Sequence, residues 1–137
     1  MVNRFITEFN DQSVYPMTNI SQGNIRTKYH CSTNGCRVEI INATKAAAET
    51  FNVSIDGGTN DDGEEKMLNV FTDTVKIFDS SLTDEQINNA ITEFVEGGKI
   101  VEKYSLSDNI SVTYIPSVEL SRGKSNRRID IAAANYK

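Results

Sequence analysis

At 137 residues, with 38% hydrophobic and 24% charged content, the chain has room for one domain and one core, and its balance is that of a folded protein. A formal charge of −5 gives no general affinity for phosphates, so any nucleic-acid role must rest on a local patch. No run of about 18 apolar residues is present, which excludes a transmembrane helix. Glu8 stands where a secretory leader would need its apolar stretch, so the chain reads as cytoplasmic or particle-associated.

Alternation with a period of two dominates and predicts strands. Ile25, Thr27, Tyr29 and Cys31 alternate with Arg26, Lys28 and His30; Cys36, Val38 and Ile40 alternate with Arg37 and Glu39. Asn34-Gly35 lies between them, and both residues tolerate the positive φ of a type I′ turn. Residues 24–42 therefore read as a hairpin. Phe51, Val53 and Ile55 predict the next strand, and the polar, glycine-rich stretch Asp56–Glu65 predicts an exposed loop. Residues 67–78 read as a long strand. Leu68 and Val70 point one way and Val75 and Ile77 the other, a phase change that implies a bulge near Thr72-Asp73-Thr74.

One amphipathic helix is expected at about residues 83–96. Thr83 can cap it, Gln86 completes a capping box, and Leu82 with Ile87 can form a hydrophobic staple. Asp84 and Glu85 suit the positive end of the helix dipole. Ile87, Ala90, Ile91, Phe94 and Val95 share one apolar face, and Gly97 and Gly98 end the helix. Beyond it, residues 99–137 read as strands: Ile110, Val112 and Tyr114 alternate, and Val118 and Leu120 face Ile129 and Ile131 across a turn. The expected fold is a single α+β domain over 1–137. It is mainly antiparallel sheet, with one helix packed on the sheet and strands on either side of it in the chain.

Cys31 and Cys36 are the only cysteines. A two-residue turn would set Thr33 opposite Cys36 and Cys31 opposite Val38, leaving the cysteines diagonal; a four-residue loop would oppose them and permit a disulfide. Packed thiols and a disulfide both stay open at this level. His30 neighbours Cys31 on the opposite side of the same strand, so the two do not form a nucleophilic pair. With no phosphate-binding glycine loop, hydrolase elbow or zinc-binding helix motif, no metal, cofactor or catalytic activity is expected. The acidic residues of Asp56–Glu65 lack calcium-loop spacing. Arg122, Lys124, Arg127 and Arg128 form the densest basic patch, suited to phosphate contact without base readout. Arg26, Lys28 and Arg37 form a second, weaker basic surface.

The stretch from Arg37 to about Val101 resembles the coat proteins of single-stranded RNA bacteriophages. The matching order is a strand over Arg37–Ile41, a strand over Thr50–Ile55, the polar loop Asp56–Glu65, a long strand over Met67–Phe78, and a helix opening Ser81-Leu82-Thr83-Asp84-Glu85. The resemblance implies a homodimer whose helices pack over the partner's sheet through Ile87, Ala90, Ile91, Phe94 and Val95. It further implies self-assembly into a virion, with RNA meeting the other sheet face and the seven basic residues above as its contacts. The other expectation is a small phage or mobile-element binding module that inhibits a host protein.

Overall fold

The Asn34-Gly35 turn sets the register of the first hairpin. In a computed structural model, which describes residues 2–23, 28–45, 48–134 and 136 (without the side chains of 43–45, 48 and 49), both turn residues have positive φ, 49° and 76°. Strands β2 (Lys28–Thr33) and β3 (Cys36–Lys45) pair with Thr33 opposite Cys36 and Cys31 opposite Val38. This is the two-residue turn of the alternatives above, and both cysteines are free, buried thiols rather than a disulfide. The expected start of that hairpin, 24–27, lies outside the described residues.

The hairpin belongs to a seven-stranded antiparallel sheet. Strand β1 (Thr18–Gln22) lies outside β2, and β4 (Ala48–Gly58) pairs with β3. After two helices, β5 (Val101–Ser107) and β6 (Ile110–Ile115) form a second hairpin. A two-residue ribbon, β7 (Glu119–Leu120) and β8 (Gly123–Lys124), follows, and β9 (Arg127–Ala134) then inserts between β4 and β6. Val118 and Leu120 therefore do not face Ile129 and Ile131. Glu119 pairs with Lys124 instead, while Ile129 and Ile131 are flanked by Ile55 and Val53 on one side and Tyr114 and Val112 on the other. A buried strand needs apolar neighbours on both flanks, and the exposed Leu120 supplies none.

Among the described residues three helices accompany the sheet. Helix α1 (Val2–Gln12) buries Val2, Phe5, Ile6 and Phe9, a helical spacing at the start of the chain. The second is a correction: Gly63–Phe78 is a helix, α2, and not a loop end followed by a strand. Its buried Met67, Phe71, Thr74 and Val75 repeat at helical intervals, so the apparent phase change at 72–74 is the 3.6-residue period. Thr72 and Thr74 donate their hydroxyls to the carbonyls of Leu68 and Val70 one turn back, which lets two β-branched polar residues sit within the helix. The loop expected over Asp56–Glu65 shrinks to residues 59–62.

Helix α3 (Asp84–Gly97) has the expected reciprocal capping box. The Thr83 N–H donates to Gln86 Oε1 at 2.9 Å and the Gln86 N–H donates back to Thr83 Oγ1 at 3.2 Å. It ends at Gly98, whose φ of 60° needs glycine. Its apolar face buries against its own chain: Phe94 stacks on Tyr114 at 5.2 Å and meets Phe71 and Tyr104 edge-on. Ile87, Ala90 and Phe94 are buried and Ile91 partly so, while Val95 is exposed. A second aromatic cluster joins Phe5, Phe51, Phe78 and Tyr136 between α1 and the sheet. Helix α2 packs across β3, β4 and β9, α1 lies against α2, and α3 lies against β5. One sheet face is thus covered.

Candidate functional site

Period-two alternation that buries one set of side chains must present the other set on the opposite face. That face is polar and uncovered by any described helix. One row crosses five strands as His30, Glu39, Ser54, Asp130 and Thr113. Beside it runs Ser32, Arg37, Asp56, Arg128 and Ile115. Two adjoining depressions, of about 480 and 500 Å³, are sunk into this face and share Glu39, Ser54 and Arg128. The first reaches Asn19, His30 and Arg37; the second reaches Ile41, Lys103 and Ala132.

The carboxylates of this face are engaged within the chain. Glu39 pairs with Lys28 Nζ at 3.2 Å and lies 3.9 Å from His30 Nδ1. Asp130 pairs with Arg128 Nε at 3.1 Å and accepts from the Ser54 hydroxyl at 2.6 Å. Asp56 stands between Arg37 and Arg128 in register yet pairs with neither. Its Oδ1 accepts from the Gly58 N–H at 2.8 Å and its Oδ2 from the Asn126 amide at 3.1 Å. Arg37 and Lys103 are left without an ion pair among the described residues. Arg37 lines both the first depression and a smaller cleft of about 280 Å³ with Asp56, Asn60 and Asn126.

Ser54, His30 and two acids share a row, but the row spaces them wrongly for nucleophilic catalysis. Glu39 separates His30 from Ser54, about 10 Å at two inter-strand spacings. Among the described residues no group of three His, Cys, Asp or Glu side chains is placed to hold a metal ion. Burial raises the Cys31 and Cys36 thiols to about 11, so they remain protonated and poorly nucleophilic at neutral pH.

The basic residues singled out from the sequence do not converge. Arg26 lies outside the described residues. Lys28, Arg37 and Arg128 share the open face, as the alternation implies. Arg122 and Lys124 stand exposed on the β7–β8 ribbon. Arg127 turns elsewhere: it lies over Gly57 and Gly63 and donates to the Asn60 carbonyl, fastening the 59–62 turn to β9. Of the face's working residues, sequence reasoning did not single out Glu39, Ser54, Asp130 or Lys103. The signal was present as the polar partners of inward-facing Val38, Val53, Ile55, Ile129 and Ile131, but no motif marks such positions.

Compared with known proteins, the chain matches no family model, no curated protein and no solved structure. Among the described residues no helix is long and apolar enough to cross a membrane.

Proposed function

We propose that the protein is a non-catalytic interaction module that docks an acidic protein surface on its open sheet face. The observation that supports this is the charge pattern: Glu39 and Asp130 are ion-paired and Asp56 is hydrogen-bonded within the chain, while Arg37 and Lys103 have no ion pair among the described residues. A partner's carboxylates would meet two cations that no described ion pair answers.

RNA is less well suited. Glu39, Asp56 and Asp130 interleave with the cations, and neither depression has a Phe, Tyr or Trp in its lining on which a base could stack. The coat-protein reading requires the helix to cover a partner's sheet, whereas α3 is seated on its own core and the matching Met67–Phe78 segment is helical.

The test is affinity capture from extracts of cells that make the protein, using three baits. These are the native chain, a face variant (Arg37→Glu with Lys103→Glu) and a helix variant (Glu64 and the sheet untouched, Glu65→Lys with Asp73→Lys). A stoichiometric protein partner lost with the face variant alone supports docking on the face. Capture that the face variant leaves unchanged overturns it.

A further inference from the structure

Strand β5 carries an extra residue where it meets β6. Val101 pairs with Tyr114 and Tyr104 with Val112, so Glu102 and Lys103 share the one position opposite Thr113. Continued without that slip, the register from Val101 would set Lys103 opposite the buried Val112, with its side chain on the covered face. The bulge gives that place to Tyr104, which packs edge-on against Phe94, and turns Lys103 to a φ of 51°. Lys103 then lines the second depression on the open face, and its N–H donates to the Thr113 hydroxyl at 3.4 Å. A left-handed backbone disfavours lysine and suits glycine, so keeping a lysine there costs stability that glycine would spare.

The same device recurs on the opposite edge of the sheet. Among the described residues the non-glycine positions with positive φ are Asn19, Asn34 and Lys103. Asn34 belongs to the hairpin turn. Asn19 sits at the register slip of β1 and lines the first depression, as Lys103 lines the second. The carboxylates of the second depression are engaged within the chain, Glu39 with Lys28 and Asp130 with Arg128 and Ser54. Glu102, the other residue of the bulge, is exposed and does not line it. We propose that Lys103 is the anchor of the open face: its ammonium group takes a carboxylate of an acidic peptide segment on the partner, beside the neutral hydroxyls of Ser111 and Thr113. This rests on the reading of the open face as the docking surface, and it names the residue that selects the partner and the bulge that delivers its amine.

The probe is an acetylated hexaglutamate peptide, titrated at low salt into the native chain, Lys103→Gly and Lys103→Arg, and followed by backbone amide chemical shifts. Glycine accepts the positive φ and keeps the N–H to Thr113, so it removes the amine alone. Lys103→Gly should unfold at an equal or higher urea concentration than the native chain. Its affinity for the peptide should fall about two- to fivefold, the range of one exposed ion pair, and Lys103→Arg should restore it. In the native chain the shifts should centre on Ser111 and Thr113 and fade with added salt. A glycine variant that binds the peptide as the native chain does overturns the inference, as do shifts centred elsewhere or a native chain that does not bind. A lower urea midpoint for the glycine variant also overturns it, since the lysine side chain would then be serving the fold. If the anchor fails in any of these ways but capture from extracts is still lost with Arg37→Glu/Lys103→Glu, the docking reading stands. If that capture ignores the face, the docking reading fails as well.

Discussion

Gly63 and Gly57 meet where α2 begins beneath the end of β4. A Cβ on Gly63 would lie 2.1 Å from the Gly57 carbonyl oxygen and 2.4 Å from an Arg127 guanidinium nitrogen; the side chain can swing aside, but the Gly57 backbone cannot yield cheaply. Gly63→Ala is expected to cost about 1–3 kcal/mol, an overpacking penalty read as a lower urea midpoint. Arg127 explains why this site was not legible: its position in a basic run suggests phosphate contact, and only the fold shows it fastening a turn. The cysteines were half legible, since the turn length decided their register and Asn34-Gly35 decided the turn length. Their thiols shift from 9.0 to about 11, and burial likewise raises Tyr136 to about 12. The folded state therefore holds protons that the unfolded chain releases first. Stability from these groups is complete below pH 9 and falls as pH rises toward 11. Denaturant titrations across that range should show the decline, and Cys31→Val with Cys36→Val should remove part of its slope. An unchanged slope would assign the loss to the tyrosines.

Elements were legible where local signals agreed. Helix α3 has cap, box, apolar face and terminal glycine in sequence; the cap, box and glycine are found, and of the face Val95 alone stays exposed. Thr83→Ala removes the cap acceptor and should cost about 1 kcal/mol, measured as a drop in unfolding free energy. A loss well below that would mean the exposed box contributes little. Helix α2 was misread because Val70, Thr72, Thr74, Val75 and Ile77 favour strands by composition. Burial against β3, β4 and β9 overrides that preference, and the two threonine hydroxyls find acceptors inside the helix. Strand β9 was recognised, but not its place. Its partners β4 and β6 lie far from it along the chain, and no local pattern encodes such a pairing.

At the scale of the molecule, the sheet has two blunted edges and one open face. The β1 edge slips register between Thr18 and Ser21, with Asn19 at φ 54°. The β5 edge slips twice and holds Lys103 at φ 51°. Such irregularities discourage strand addition, which leaves the face as the broad surface available to a partner. Its rows of alternating polar residues were readable from the sequence strand by strand. Their charge bookkeeping was not, because whether Asp56 answers Arg37 depends on Gly58 and Asn126 occupying its oxygens first. The most direct measurement is the comparison of proteins captured by the native chain with those captured by the Arg37→Glu/Lys103→Glu variant. Docking on the open face predicts that a stoichiometric partner disappears with those two charges reversed while the variant stays folded. The same partner recovered in the same amount would contradict it.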